Sequence, residues 1–180
     1  MDINYSRADE IFLYDPQVSA YATSGFVTLS GTPTVTLNKL VVNAAEFVSS
    51  QVFRNGALEF LLTIPTAPAA GDVRSFGFKN ANPGNKGKII FDITDDALTA
   101  QIFGEDGTQI GDSYPITWDA TWTAAEIRCR IFYWERNVFF TINDTIVAKF
   151  EEVELSKLPL SISVKNGNSD DMSVSVIAIY

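Results

Sequence analysis

The residues able to do chemistry in this chain are cations, a carboxylate and tryptophans. Arg74, Lys88, Asp92, Arg128 and Arg130 all lie in runs that read as strands, in a chain whose net charge is −9. Trp118 and Trp122 flank "DAT" in a loop, and Trp134 ends a strand. Aromatic platforms beside planar hydrogen-bonding side chains suit sugar binding. The candidate ligand-binding residues are therefore Arg74, Lys88, Asp92, Trp122, Arg128 and Arg130. Arg128 and Arg130 can equally pair with surface carboxylates, and the tryptophans can fill the core. No residue is singled out as catalytic or as a metal ligand.

What is missing narrows the chemistry further. The chain has no histidine, which removes the commonest general base and the commonest transition-metal ligand. Its one cysteine, Cys129, sits in "EIRCRIFYW"; it can form no internal disulfide and is expected to be a buried thiol. There is no Gly-rich phosphate loop opening a helix, no metal-spaced Cys/His cluster and no Ser/His or Cys/His pair. With a pI near 4.4 the surface repels phosphate backbones, so nucleic acid is not an expected partner. No apolar run approaches the roughly 20 residues that span a bilayer, so no membrane is expected either. The start, "MDINYSRADEIFLYD", lacks the basic and apolar parts of a signal peptide.

These residues must be positioned by strands. Hydrophobic residues are 46% of the 180 and charged residues 19%, a globular composition suited to one domain. A period of two places Val138, Phe140 and Ile142 on one side of a pleated strand. The same holds for Ile146, Ala148 and Phe150, for Leu160, Ile162 and Val164, and for Val174, Val176 and Ala178. Turn signals recur roughly every 8–12 residues, as in a sandwich. Between them lie predicted strands near 26–29, 34–42, 46–52, 57–64, 73–79, 88–94, 97–103, 113–118, 126–134, 137–142, 145–151, 160–165 and 172–180. Asn143-Asp144 and Asp95-Asp96 read as tight hairpin turns. The one helical signal is a single turn at Thr121–Glu126, with Thr123 as N-cap. The fold class is all-β, a two-sheet antiparallel sandwich. Residues 1–24 are less regular and form either an arm that docks on a partner or an edge segment, with Tyr5, Tyr14 and Tyr21 along the domain edge; residues 25–180 are the domain.

Three stretches carry a resemblance. "NGALEFLLTIP" (Asn55–Pro65) resembles the "yGrfEarvKlP" strand of the laminarinase-type glycoside hydrolases, family 16. "FYWERNVFFTINDTIVAKF" (Phe132–Phe150) resembles that family's "ieWtpdsirwyvDGvlv" hairpin, and "LPLSISVKNGNSDDMSVSVIAIY" (Leu158–Tyr180) its closing "P..l.lN.avGG....M.VDYVRVY". Order and spacing agree over roughly residues 45–180. The resemblance implies a concanavalin A-like jelly roll with its carbohydrate site on the concave sheet, the strands of Arg74, Lys88, Asp92, Arg128 and Arg130 forming that sheet. It also implies a strand "G-E-I-D-I-x-E" bearing nucleophile and acid/base. The corresponding strand here is "GKIIFDI", with Lys88 and Ile93 at the two Glu positions, Ile90 at the Asp position, and Asp92 a lone carboxylate out of step. Retaining hydrolysis needs two carboxyls about 5 Å apart, so no enzyme activity is expected. Arg128 stands in place of a cleft-side His. Ser175 stands where the family often has a calcium-binding Asp. Asp170 and Asp171, or Glu105 and Asp106, could supply some calcium oxygens, but acidic Gly/Asn-rich loops are more often plain turns, and no cofactor is expected.

With no leader ahead of the domain, the expectation is a non-enzymatic lectin-like protein on a virus particle, a phage capsid decoration, head-fibre or tail-associated protein. It would be made in the cytoplasm and displayed on the virion surface. Its partners would be capsid or tail proteins of the same particle, and a polysaccharide of the host surface; a homo-oligomer is compatible with this. The alternative is a free-standing carbohydrate-binding module, and the third reading a divergent glycoside hydrolase.

Overall fold

Alternating apolar residues leave this chain few options other than paired strands, and strands are what form. The computed structural model describes residues 12–17, 25–53, 56–82, 84–134, 136–154 and 160–180. Among them lie two antiparallel sheets. The first runs in the order β13 (Thr145–Phe150), β12 (Asn137–Ile142), β11 (Glu126–Trp134), β6 (Gly56–Thr63), β15 (Met172–Ile179), β4 (Lys39–Val42) and β3 (Thr34–Thr36). Its eighth strand, β1 (Phe12–Tyr14), pairs with the far end of β15. The second runs β10 (Tyr114–Ile116), β9 (Ala97–Phe103), β8 (Lys88–Thr94), β7 (Val73–Asn80), β14 (Leu160–Asn166), β5 (Ala45–Phe53) and β2 (Phe26–Ser30). Neighbours distant in sequence, such as β15 beside β6 and β14 between β7 and β5, make this the two-sheet jelly roll the sequence predicts.

The inner faces meet in one core. Phe60 of the first sheet meets Phe76 of the second edge-on at 5.4 Å, Phe76 stacks on Phe91 at 5.2 Å, and Phe91 meets Phe140 of the first sheet at 5.0 Å. This aromatic spine crosses the sandwich twice. Quadrupole-matched ring pairs add roughly 0.5–1.5 kcal/mol each beyond the area they bury. Cys129 lies in the same core with no exposure, and burial pushes its thiol pKa well up.

Tight turns hold the strands in register. Leu37-Asn38 and Asn143-Asp144 both take positive φ, the type I′ signature that joins β3 to β4 and β12 to β13. Residues 34–42 are thus two strands and not the single one expected. In the β8–β9 turn Asp95 takes φ 56. The helical turn lies at Ala120–Trp122, capped by Asp119, whose carboxylate accepts from the Thr121 N–H; Thr123 is at its C-terminal end rather than its N-cap.

Two side-chain assignments change because of bulges. A register shift between Val174 and Val176 reverses the faces of β15. Val174 is in the core, but beyond the shift it is Ile177 and Ile179 that point inward, not Val176 and Ala178. A shift between Phe140 and Thr141 does the same across β12–β13, leaving Ile146 62% exposed. Tyr14 is fully buried and packs edge-on against Phe26 at 5.2 Å. Tyr5 and Tyr21, like the rest of residues 1–11 and 18–24, lie outside the described residues.

Candidate functional site

The outer face of the seven-stranded sheet carries a groove of about 450 Å³. Its floor follows from strand alternation. β8 pairs with β7 and β9 without any register shift, so Lys88, Ile90, Asp92 and Thr94 all face the groove while Ile89, Phe91 and Ile93 point into the core. Three cross-strand rows result. Lys79, Lys88 and Phe103 form one. Ser163, Gly77, Ile90 and Gln101 form the next. Glu46, Lys165, Ser75, Asp92 and Thr99 form the third.

Asp92 therefore shares the groove face with Lys88, four residues along the same strand, though it does not fall at a motif position. Residues at i, i+2 and i+5 share a face only if the strand holds one extra residue. β8 holds none, so the position opposite Lys88 falls at Asp92, and Ile93 is buried. The Asp92 carboxylate accepts from the Thr94 hydroxyl at 2.8 Å through Oδ2. Oδ1 has no protein partner among the described residues.

Lys88 lies over the Phe103 ring, 4.3 Å from its centroid. Burial lowers its pKa from the ordinary lysine value; Asp92 opposes this, and Lys165 and Lys79 reinforce it. Lys79 pairs with Glu46 at 2.8 Å. Phe103 borders the groove at the end of β9, and its sequence carries no signal for this beyond its place at the end of an alternating strand.

The other candidates lie elsewhere. Arg128 and Arg130 are on the outer face of the eight-stranded sheet, not in the groove, because β11 pairs with β6 and β12. Arg130 reaches Glu59 at 2.5 Å and Asp144 at 2.6 Å, and Arg128 lies 3.8 and 3.6 Å from the same two carboxylates. Arg74 starts on the same strand as Ser75 but points inward. It is 1% exposed, held by Asp72 at 3.1 Å and Asp170 at 2.6 Å. Trp122 packs edge-on against Trp118 at 5.6 Å, and both lean on the core. Of the six, Lys88 and Asp92 face the groove together, and Arg74 borders it with its guanidinium turned away into its ion pairs.

The acidic loops are likewise engaged. Asp170 is bound by Arg74, Asp171 accepts from Asn43 at 2.8 Å, and Asp106 accepts from the Thr108 N–H at 2.8 Å. Among the described residues no three of His, Cys, Asp or Glu gather to hold a metal ion. No helix there is long and apolar enough to cross a membrane.

Solved structures share this arrangement of sheets. A laminarinase from Flavobacterium sp. UMI-01 superimposes with a TM-score of 0.75 at 12% identity, over 95% of this chain and 99% of its own. The fold is that of the laminarinase-type glycoside hydrolases. An endo-β-1,3-glucanase from Pyrococcus furiosus gives 0.75 at 11% identity, over 95% of this chain and 93% of its own. The Crh5 transglycosylase gives 0.72 at 16%, over 93% and 82%. No protein-family model and no curated protein sequence matches the chain.

These neighbours establish the fold, and they overturn two functional expectations. The three neighbours named above, each sharing the fold over more than nine-tenths of this chain, are a laminarinase, a glucanase and a transglycosylase. The expected non-enzymatic lectin on a virus particle has no counterpart among them, and neither has a free-standing binding module. The expectation of no enzyme activity rested on the missing carboxyl pair, with Lys88 and Ile93 at the two Glu positions, and it is the enzymes sharing the fold that speak against it.

Proposed function

We propose that this chain is a carbohydrate-active enzyme whose polysaccharide lies in the groove of the seven-stranded sheet, with Asp92 as the group that moves a proton. The observation that carries this reading is the placement of Asp92, a carboxylate on the open groove face of β8, in a fold shared with glucanases and a transglycosylase. Its free Oδ1 is available to a glycosidic oxygen.

The route is not a two-carboxylate one. Carboxyl pairs sit about 5 Å apart in retaining enzymes and roughly 6.5–9.5 Å apart in inverting ones. Lys88 takes the other position on β8. Glu46, the other carboxylate facing the groove among the described residues, is three strands from Asp92, about 14 Å between backbones, and is paired with Lys79. Asp92 acts alone. It protonates the leaving oxygen as the glycosidic bond breaks. It then accepts the proton of the water or sugar hydroxyl that adds to the oxocarbenium-like carbon. Phe103 offers a ring face to the sugar at the rim.

The test is product formation from β-linked polysaccharides, a β-1,3-glucan first. New reducing ends or transferred oligosaccharides are expected, and they should vanish in Asp92→Asn with melting unchanged. Full activity in Asp92→Asn, or no product from any polysaccharide, would refute the reading.

A further inference from the structure

We infer that the groove takes an acidic polysaccharide, its carboxylate or sulfate groups held by Lys88 and Lys165. This rests on the groove being a carbohydrate site and names the class of chain it accepts. The argument is one of charge. The protein carries −9 overall, yet three lysines, Lys79, Lys88 and Lys165, converge on one face beside only two carboxylates, Glu46 and Asp92. Glu46 neutralises Lys79. Among the described residues no carboxylate lies within ion-pair distance of Lys88 or Lys165, whereas Arg74, Arg128, Arg130, Arg136, Lys39 and Lys149 all have one.

The two unpaired ammonium groups are built into the groove. Lys88 lies half-buried over Phe103, and burial together with Lys165 and Lys79 makes its charged form costly, so an arriving anion relieves an existing repulsion. Lys165 stands two strands away in the row of Asp92. The two backbones are about 16 Å apart diagonally across the sheet, a span of several sugar units rather than of one small anion. Asp92 stands at the corner of that diagonal, four residues along β8 from Lys88 and two strands across from Lys165, and it repels acidic groups from the bond presented to it.

The experiment is affinity electrophoresis in gels containing a polyuronate, a sulfated galactan or a neutral β-1,3-glucan. Wild type is compared with Lys88→Gln, Lys165→Gln and the double variant, at low and high salt. The acidic polymers should retard wild type, more weakly as salt rises. Each substitution should weaken retardation about fivefold. Retardation by the polyuronate alone assigns carboxylate, and by the galactan alone sulfate; either outcome supports the inference. Equal retardation by neutral glucan, or unchanged binding in the double variant, would overturn it while leaving the carbohydrate groove standing. No retardation by any polymer would bring down both.

Discussion

Arg74 and Asp170 meet at 2.6 Å across 96 residues of sequence, and the guanidinium is wholly shielded from solvent. The same guanidinium reaches Asp72 at 3.1 Å and the Thr66 hydroxyl at 3.2 Å. Asp72 in turn accepts from the Ala69 N–H and from the Asn168 side chain. Asn168 closes on the Val73 N–H at 2.9 Å. This network ties the loop before β7 to the loop between β14 and β15. Removing one partner of a buried pair leaves an uncompensated charge and costs about 3–5 kcal/mol. Arg74→Ala should lose that much in urea unfolding at neutral pH. A loss below about 1 kcal/mol would mean the network only decorates the loops.

The same network sets an acid limit. Burial works against the ionised Asp170 carboxyl, but its own backbone N–H, the Thr66 hydroxyl and Arg74 outweigh it and hold the pKa below the ordinary aspartate value. The unfolded chain titrates near 3.9, so it binds more protons than the folded one between that pH and the lower folded pKa. The stabilisation is complete above about pH 4 and drains away as pH falls through the folded pKa. The stability gap between wild type and Asp170→Asn should therefore be widest at neutral pH and shrink in acid. Urea midpoints at both pH values check this; a constant gap would remove Asp170 from the acid limit.

Phe140 and Ile146 are close in sequence and opposite in burial. Phe140 is unexposed and meets Phe91 at 5.0 Å and Phe150 at 5.8 Å. Phe140→Ala should cost about 3–5 kcal/mol. Ile146 is 62% exposed, and Ile146→Ala should stay within about 0.5 kcal/mol. Equal costs would mean the register shift between β12 and β13 is misplaced.

That contrast shows where the sequence was legible. Alternation located strands such as β7, β8 and β11 nearly to the residue, because each buries one face against the other sheet. It failed at the bulges. The shift after Val174 swaps Val176 for Ile177, and nothing in "MSVSVIAI" distinguishes the two patterns, since every alternative position is apolar or small. The candidate site was legible only along β8. Which sheet a strand joins depends on pairings between distant segments, so Arg128 and Arg130 could not be separated from Lys88 by local pattern. The same limit hid Lys165, which enters the groove only because β14 inserts between β5 and β7.

Cys129 offers a probe of global opening. It is fully buried on β11 between β6 and β12, and desolvation pushes its thiol far from ionisation. The thiolate is the reactive form. A thiol reagent at neutral pH should label the native protein only at the rate of unfolding and label it at once in denaturant. Fast labelling of the native state would show that β11 opens locally.

Gly77 joins the core to the groove. It sits on β7 between the buried Phe76 and Phe78, paired with Ile90 of β8 on one side and Ser163 of β14 on the other. Its φ is +149, and a Cβ there would stand 2.3 Å from the Ile89 carbonyl oxygen and 2.8 Å from Ile131 Cδ1. An alanine cannot fit unless β8 moves away from β7, and β8 carries Lys88 and Asp92. Gly71 is the control: its φ is +87, but a Cβ would meet nothing within 4 Å. Gly71→Ala should cost only the backbone penalty of about 1–2 kcal/mol. Gly77→Ala should cost clearly more, and where it still folds it should weaken polysaccharide binding while Gly71→Ala does not. Equal stability and equal binding for the two variants would mean that the β7–β8 pairing tolerates a side chain at its centre and does not set the groove floor.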